Sequence, residues 1–211
     1  MSGRRRISWS TALFVAVVAA VLLAVVVRPA GGGQGGAASA DDEVARAEIE
    51  EVVEAWALGG GTFGYPFWEK AGQRWTAGQI STTMYREYVT GYRDRMQGGC
   101  ELLDAIDVGA EVAGELRSTV SGACSTRLEA LRAQQEWLDA LIELDTLRPD
   151  DPDPAATAER RIELQSEAAE QEERFRTQLQ ESYLATRTAM QDTQAYLDET
   201  GQERVPEDAF I

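Results

Sequence analysis

From Ile7 to Val27 the chain carries no charged residue, and from Ala12 to Val27 every side chain is apolar. About 21 residues at 1.5 Å rise make a helix of roughly 31 Å, which matches a hydrocarbon core about 30 Å thick. Arg4, Arg5 and Arg6 precede the run. The excess of positive charge on the cytoplasmic side then predicts residues 1–6 inside, a single transmembrane signal-anchor helix over 7–27, and the rest of the chain outside. A cleaved signal peptide is the alternative, because Ala38-Ser39-Ala40 has the small-x-small form of a processing site directly before Asp41. The apolar run exceeds the 7–15 residues of a typical signal core, and the site lies well downstream of Val27, so the anchor is the preferred reading and a secreted domain the alternative.

Residues 28–40 are rich in Gly and Ala, lack periodicity and read as a flexible linker. Residues 41–211 form the expected extracytoplasmic domain, and its charge limits its partners. All of the 36 acidic residues lie there with 16 of the 20 basic ones, a net charge of −20. Such a surface repels phosphate backbones, so nucleic acid is not an expected partner.

Helical periodicity runs through this domain and no strand alternation competes with it. Ala45, Ile49, Val52, Val53 and Trp56 define one helix face behind a cap at Asp41 or Asp42, and Gly59-Gly60-Gly61 ends it. Thr62–Trp75 is the least helix-like stretch. A second helix is predicted over Thr76–Gln97, with Ile80, Met84, Tyr88 and Tyr92 inward and Gly98-Gly99 as its end. Short helices follow at Glu101–Ile106 and Glu111–Val120, with Gly109 and Gly114 as turn points. An apolar stripe from Leu128 to about Leu147 precedes a break at 148–154, where Asp153 caps the next helix and Pro154 takes its first position. Neither Gly nor Pro then occurs before Gly201, which permits a helix of about 46 residues, near 70 Å. The fold class expected is all-α: an elongated helical bundle with a coiled-coil-like long C-terminal helix, preceded by one transmembrane helix.

Chemistry is sparsely coded. The chain has no histidine, the commonest general base and metal ligand. It has neither a Gly-x-Ser-x-Gly turn nor a phosphate-binding glycine loop, so no catalytic residue, cofactor or metal ligand is assigned and an enzyme is not expected. The acidic residues alternate with arginines as on a solvated, ion-paired helix face. Asp150, Asp151 and Asp153 lack the glycine and terminal glutamate of a calcium loop.

Two features remain. Cys100 and Cys124 are the only cysteines, and in an exported domain they are expected to form a disulfide across a helical hairpin. Phe63, Tyr65, Phe67, Trp68 and Trp75 form a candidate partner-binding surface, while the competing reading makes them plugs of the bundle end. Together these suggest a membrane-anchored structural or interaction protein of the cell envelope with an envelope or membrane protein as partner. The alternative is a ligand-binding sensory module with a pocket near Tyr85, Tyr88, Tyr92 and Tyr183.

Overall fold

At Ser39 a reciprocal pair of hydrogen bonds starts the first helix. The Ser39 hydroxyl accepts from the Asp42 backbone N–H at 3.2 Å, and the Asp42 carboxylate accepts from the Ser39 N–H at 3.1 Å. This is a capping box, with the serine rather than either aspartate at the cap. The computed structural model describes residues 39–59, 65–147 and 154–206. Five helices pack together within them: α1 (Ala40–Gly59), α2 (Tyr65–Thr76), α3 (Thr82–Ala105), α4 (Glu111–Thr146) and α5 (Pro154–Glu199). No strand occurs among the described residues, and no helix there is long and apolar enough to cross a membrane. The predicted anchor at 7–27 and nearly all of the linker lie outside them.

The antiparallel pair α4–α5 forms the longest interface. α5 has the expected 46 residues, but α4 is one helix of 36 residues where two shorter ones were predicted. Gly114 and Gly122 are absorbed into it because α5 covers its length. Leu164, Ala168 and Phe175 of α5 are buried in heptad-like spacing; beyond them the stripe continues as Ser182, Thr186, Ala189 and Thr193. Each threonine hydroxyl in that stripe donates to the carbonyl four residues back, at 2.8 Å, so small polar side chains enter the core without orphaned donors. Tyr183 and Leu184, beside that stripe, are half exposed.

α3 differs more. It runs through Gly98-Gly99, and its buried face is Tyr85, Val89, Tyr92 and Met96, leaving Met84 and Tyr88 exposed. Ser81 caps it, accepting from the Met84 N–H at 3.2 Å. The continuation past Gly99 has a steric cause: α1 and α3 meet backbone to backbone there, and a β-carbon on Gly99 would lie 2.0 Å from the Gly59 Cα. One residue on, Cys100 and Cys124 form the expected disulfide between α3 and α4, with Cα atoms 5.8 Å apart. It closes a loop with a sequence separation of 24, a constraint worth about 3 kcal/mol in the chain-entropy picture.

The first turn of α4 has no side-chain cap of its own. Glu48 of α1 supplies it from a distance: its carboxylate accepts from the Gly109 N–H at 3.0 Å and the Ala110 N–H at 2.8 Å. The sequence pattern places Glu48 on a solvated face. These backbone donors hold its pKa below the ordinary value of 4.5. A depressed carboxylate stabilises the fold fully above its unfolded pKa and loses that contribution as pH falls through the folded one. Glu48→Gln is therefore expected to melt below wild type at neutral pH, with the gap closing as pH drops below about 4.5. Thermal melts of both proteins from pH 7 to 3 measure this, and a gap independent of pH would refute it.

Candidate functional site

α2 organises the aromatic segment that the sequence marks as least helical. Pro66 stands in its first turn, where a missing N–H costs nothing. At its end Gly78, with φ of 68°, donates to the Trp75 carbonyl while the Gln79 N–H reaches the Arg74 carbonyl, both at 2.8 Å, which closes the helix in a Schellman motif.

Because neighbours on a helix diverge by about 100°, the aromatics of α2 separate. Trp68 turns inward, stacking on Tyr92 with centroids 5.5 Å apart and meeting Phe175 edge-on at 6.2 Å. Trp75 stacks on Tyr85 at 5.0 Å and meets the edge of Trp137 at 5.5 Å, and Trp137 packs on Phe175 at 6.4 Å. Half-buried Tyr65 lies 5.4 Å from Trp68. The rings thus form one continuous array drawn from α2, α3, α4 and α5. Gln134 of α4 fixes its register: the amide oxygen accepts from Trp68 Nε1 at 3.0 Å, and the amide nitrogen donates to the Tyr85 hydroxyl at 2.9 Å. Burial pushes the Tyr85 phenol up to about 12 despite that donor, so it stays neutral at any physiological pH.

Phe67 points the other way and is 72% exposed. It borders an open groove of about 490 Å³ between α2 and α3, whose walls also include Trp68, Met84, Tyr88, Gly91 and Tyr92, with Glu87 and Arg95 supplying charge. Met84 and Tyr88 are 46% and 43% exposed. Nothing stands within 4 Å of where a Gly91 β-carbon would be, so the groove is open above that residue.

The five aromatics singled out from sequence therefore divide. Trp68 belongs to the core, Tyr65 and Trp75 pack against it, Phe67 faces solvent and Phe63 lies outside the described residues. Of the four tyrosines named for a pocket, Tyr88 and Tyr92 line the groove and Tyr85 and Tyr183 do not. Met84 and Gly91 complete the groove but were not identified from sequence. Met84 was assigned inward, and an isolated helical glycine carries no signal of its surroundings. Compared with protein families, curated proteins and solved structures, the chain matches none.

Proposed function

We propose that this chain is a membrane-tethered protein of the cell envelope whose extracytoplasmic helical bundle captures a protein partner through the α2–α3 groove. The observation that carries the reading is the pairing of exposed Phe67, Met84 and Tyr88 on a rigid floor of buried Trp68 and Tyr92. Aromatic side chains held on a preordered surface bury large area at small entropic cost, as interface hot spots do. The tether rests on the uncharged run 7–27 behind three arginines. The cap at Ser39 supports it further, since cleavage after Ala40 would remove Ser39 and leave α1 without its capping box.

The test uses the full-length chain in native membranes. A photo-crosslinking residue placed beside the groove should trap one discrete envelope protein, and the yield should fall at least about tenfold in the double variant Phe67→Ala, Tyr88→Ala. Both side chains are surface groups, so the melting temperature should change by no more than about 2 °C. The protein should stay in the membrane pellet through alkaline carbonate. Undiminished crosslinking in the variant would discard the groove, and a mature N-terminus at Asp41 would discard the tether.

A further inference from the structure

Arg127, near the middle of α4, is 2% exposed and is the one charged side chain in the core among the described residues. Among the described residues no carboxylate pairs with it. Its Nε donates to the Ser182 hydroxyl oxygen of α5 at 3.2 Å, and that hydroxyl has already committed its proton to the Ala123 carbonyl at 2.8 Å. Its guanidinium lies 4.9 Å from the centroid of the Trp56 ring of α1, and its charge acts on the Tyr92 hydroxyl of α3. The field of the same charge reaches Tyr65 of α2. One group from each of the four other helices thus surrounds or senses this cation.

Two buried nitrogens in this cluster, Arg127 Nη1 and Trp56 Nε1, have no acceptor among the described residues. Both are obligate donors, and they belong to side chains in direct contact. A buried donor without a partner and a buried charge without a counter-charge are each strongly unfavourable. A water molecule would remedy the first and leave the second. One acceptor carrying one negative charge remedies both.

We propose that Arg127 and Trp56 form an internal binding site for a single small monovalent anion of the halide class, which accepts from Arg127 Nη1 and Trp56 Nε1 and neutralises the guanidinium. A polyatomic oxyanion fits the inventory less well, because three or four oxygens would need more donors than the two that are orphaned here. The anion would pin α1 to α4 at the centre of the bundle and make the domain's stability depend on halide concentration.

The experiment uses the full-length chain in non-ionic detergent with bromide as the probe and gluconate holding ionic strength constant. A ligand that binds only the folded state raises the melting temperature with its concentration, so about a 100-fold rise in bromide should shift the melt upward by several degrees. Arg127→Met, which keeps the bulk and removes the charge, should lose that response. Trp56→Phe keeps a ring beneath the guanidinium and removes one donor; it should raise the half-saturating bromide concentration about tenfold. Crystals grown with bromide should show an anomalous peak within hydrogen-bond reach of both nitrogens. A melting temperature indifferent to bromide, a response that persists in Arg127→Met, or non-anomalous water density at the site would each overturn the proposal. If Arg127→Met fails to fold, the Trp56→Phe titration and the anomalous peak decide alone.

Discussion

Replacing Trp68 with alanine is expected to destabilise the bundle by about 3–5 kcal/mol, the usual cost of emptying a buried Trp or Phe site. At about 2–4 °C per kcal/mol for a domain of this size, the melting temperature should fall by roughly 6–20 °C. The ring touches Tyr65, Tyr92 and Phe175, and its N–H satisfies the buried amide oxygen of Gln134, so the variant would combine a cavity with an orphaned acceptor. Trp68→Phe separates the two effects: it retains most of the packing and should still lose about 1–3 kcal/mol through Gln134. The neighbouring Phe67→Ala should change the melt by no more than about 2 °C. Differential scanning calorimetry on the three variants measures the contrast. A Trp68→Ala melt no lower than that of Phe67→Ala would mean that Trp68 is not in the core.

The second large effect is expected at Gly99. Overpacking a core with one methyl costs about 1–3 kcal/mol and sometimes more, and relief usually comes from a side chain that moves aside. None is available here: the added carbon would meet the Gly59 backbone at 2.0 Å, and the adjacent Cys100 is tied to α4. Gly99→Ala should therefore cost about 3 kcal/mol or more, lowering the melt by roughly 6–12 °C. Gly98→Ala is the internal control. A β-carbon there meets nothing within 4 Å, and alanine favours helix over glycine by up to about 1 kcal/mol, so that variant should be neutral or slightly stabilised. Equal melts for the two variants would show that the α1–α3 crossing is looser than its geometry.

How far the fold was legible in the sequence depended on how local its causes are. α5 was readable throughout because no breaker interrupts Pro154 to Gly201, and α1 because five apolar positions keep helical spacing up to Gly59. The inward face of α3 was misassigned by about one residue. Tyr85 and Tyr88 are the same residue type three positions apart, and the choice between them is made by Gln134 and Trp75 on other helices. α2 was missed because Gly64, Pro66 and Gly72 count as breakers in a local reading. Yet Pro66 falls in the first turn, and Gly72 makes room for the Tyr85 hydroxyl, 3.0 Å from where its β-carbon would be. Glu48 as a cap for α4 was beyond any local pattern, because donor and acceptor are about 60 residues apart. At the candidate site, composition pointed to the segment that supplies Phe67 and Trp68 to the groove. It could not tell outward Phe67 from inward Trp68, since that depends on the rotation of a helix the sequence did not announce.

Asp42 receives two contacts from the far end of the domain: its carbonyl accepts from Gln202 Nε2 at 2.7 Å, and its carboxylate from the Tyr196 hydroxyl at 3.4 Å. Residues 39 and 206, the first and last described, therefore lie toward the same end of the bundle. A pull between residues 39 and 206 would load these two hydrogen bonds first and then draw α1 away from α3 and α4, instead of shearing the long α4–α5 seam all at once. The Cys100–Cys124 bridge lies beyond that first step and would stop the α3–α4 hairpin from paying out. Under tension the molecule would yield early at its own entrance while most of its helical mass stayed intact.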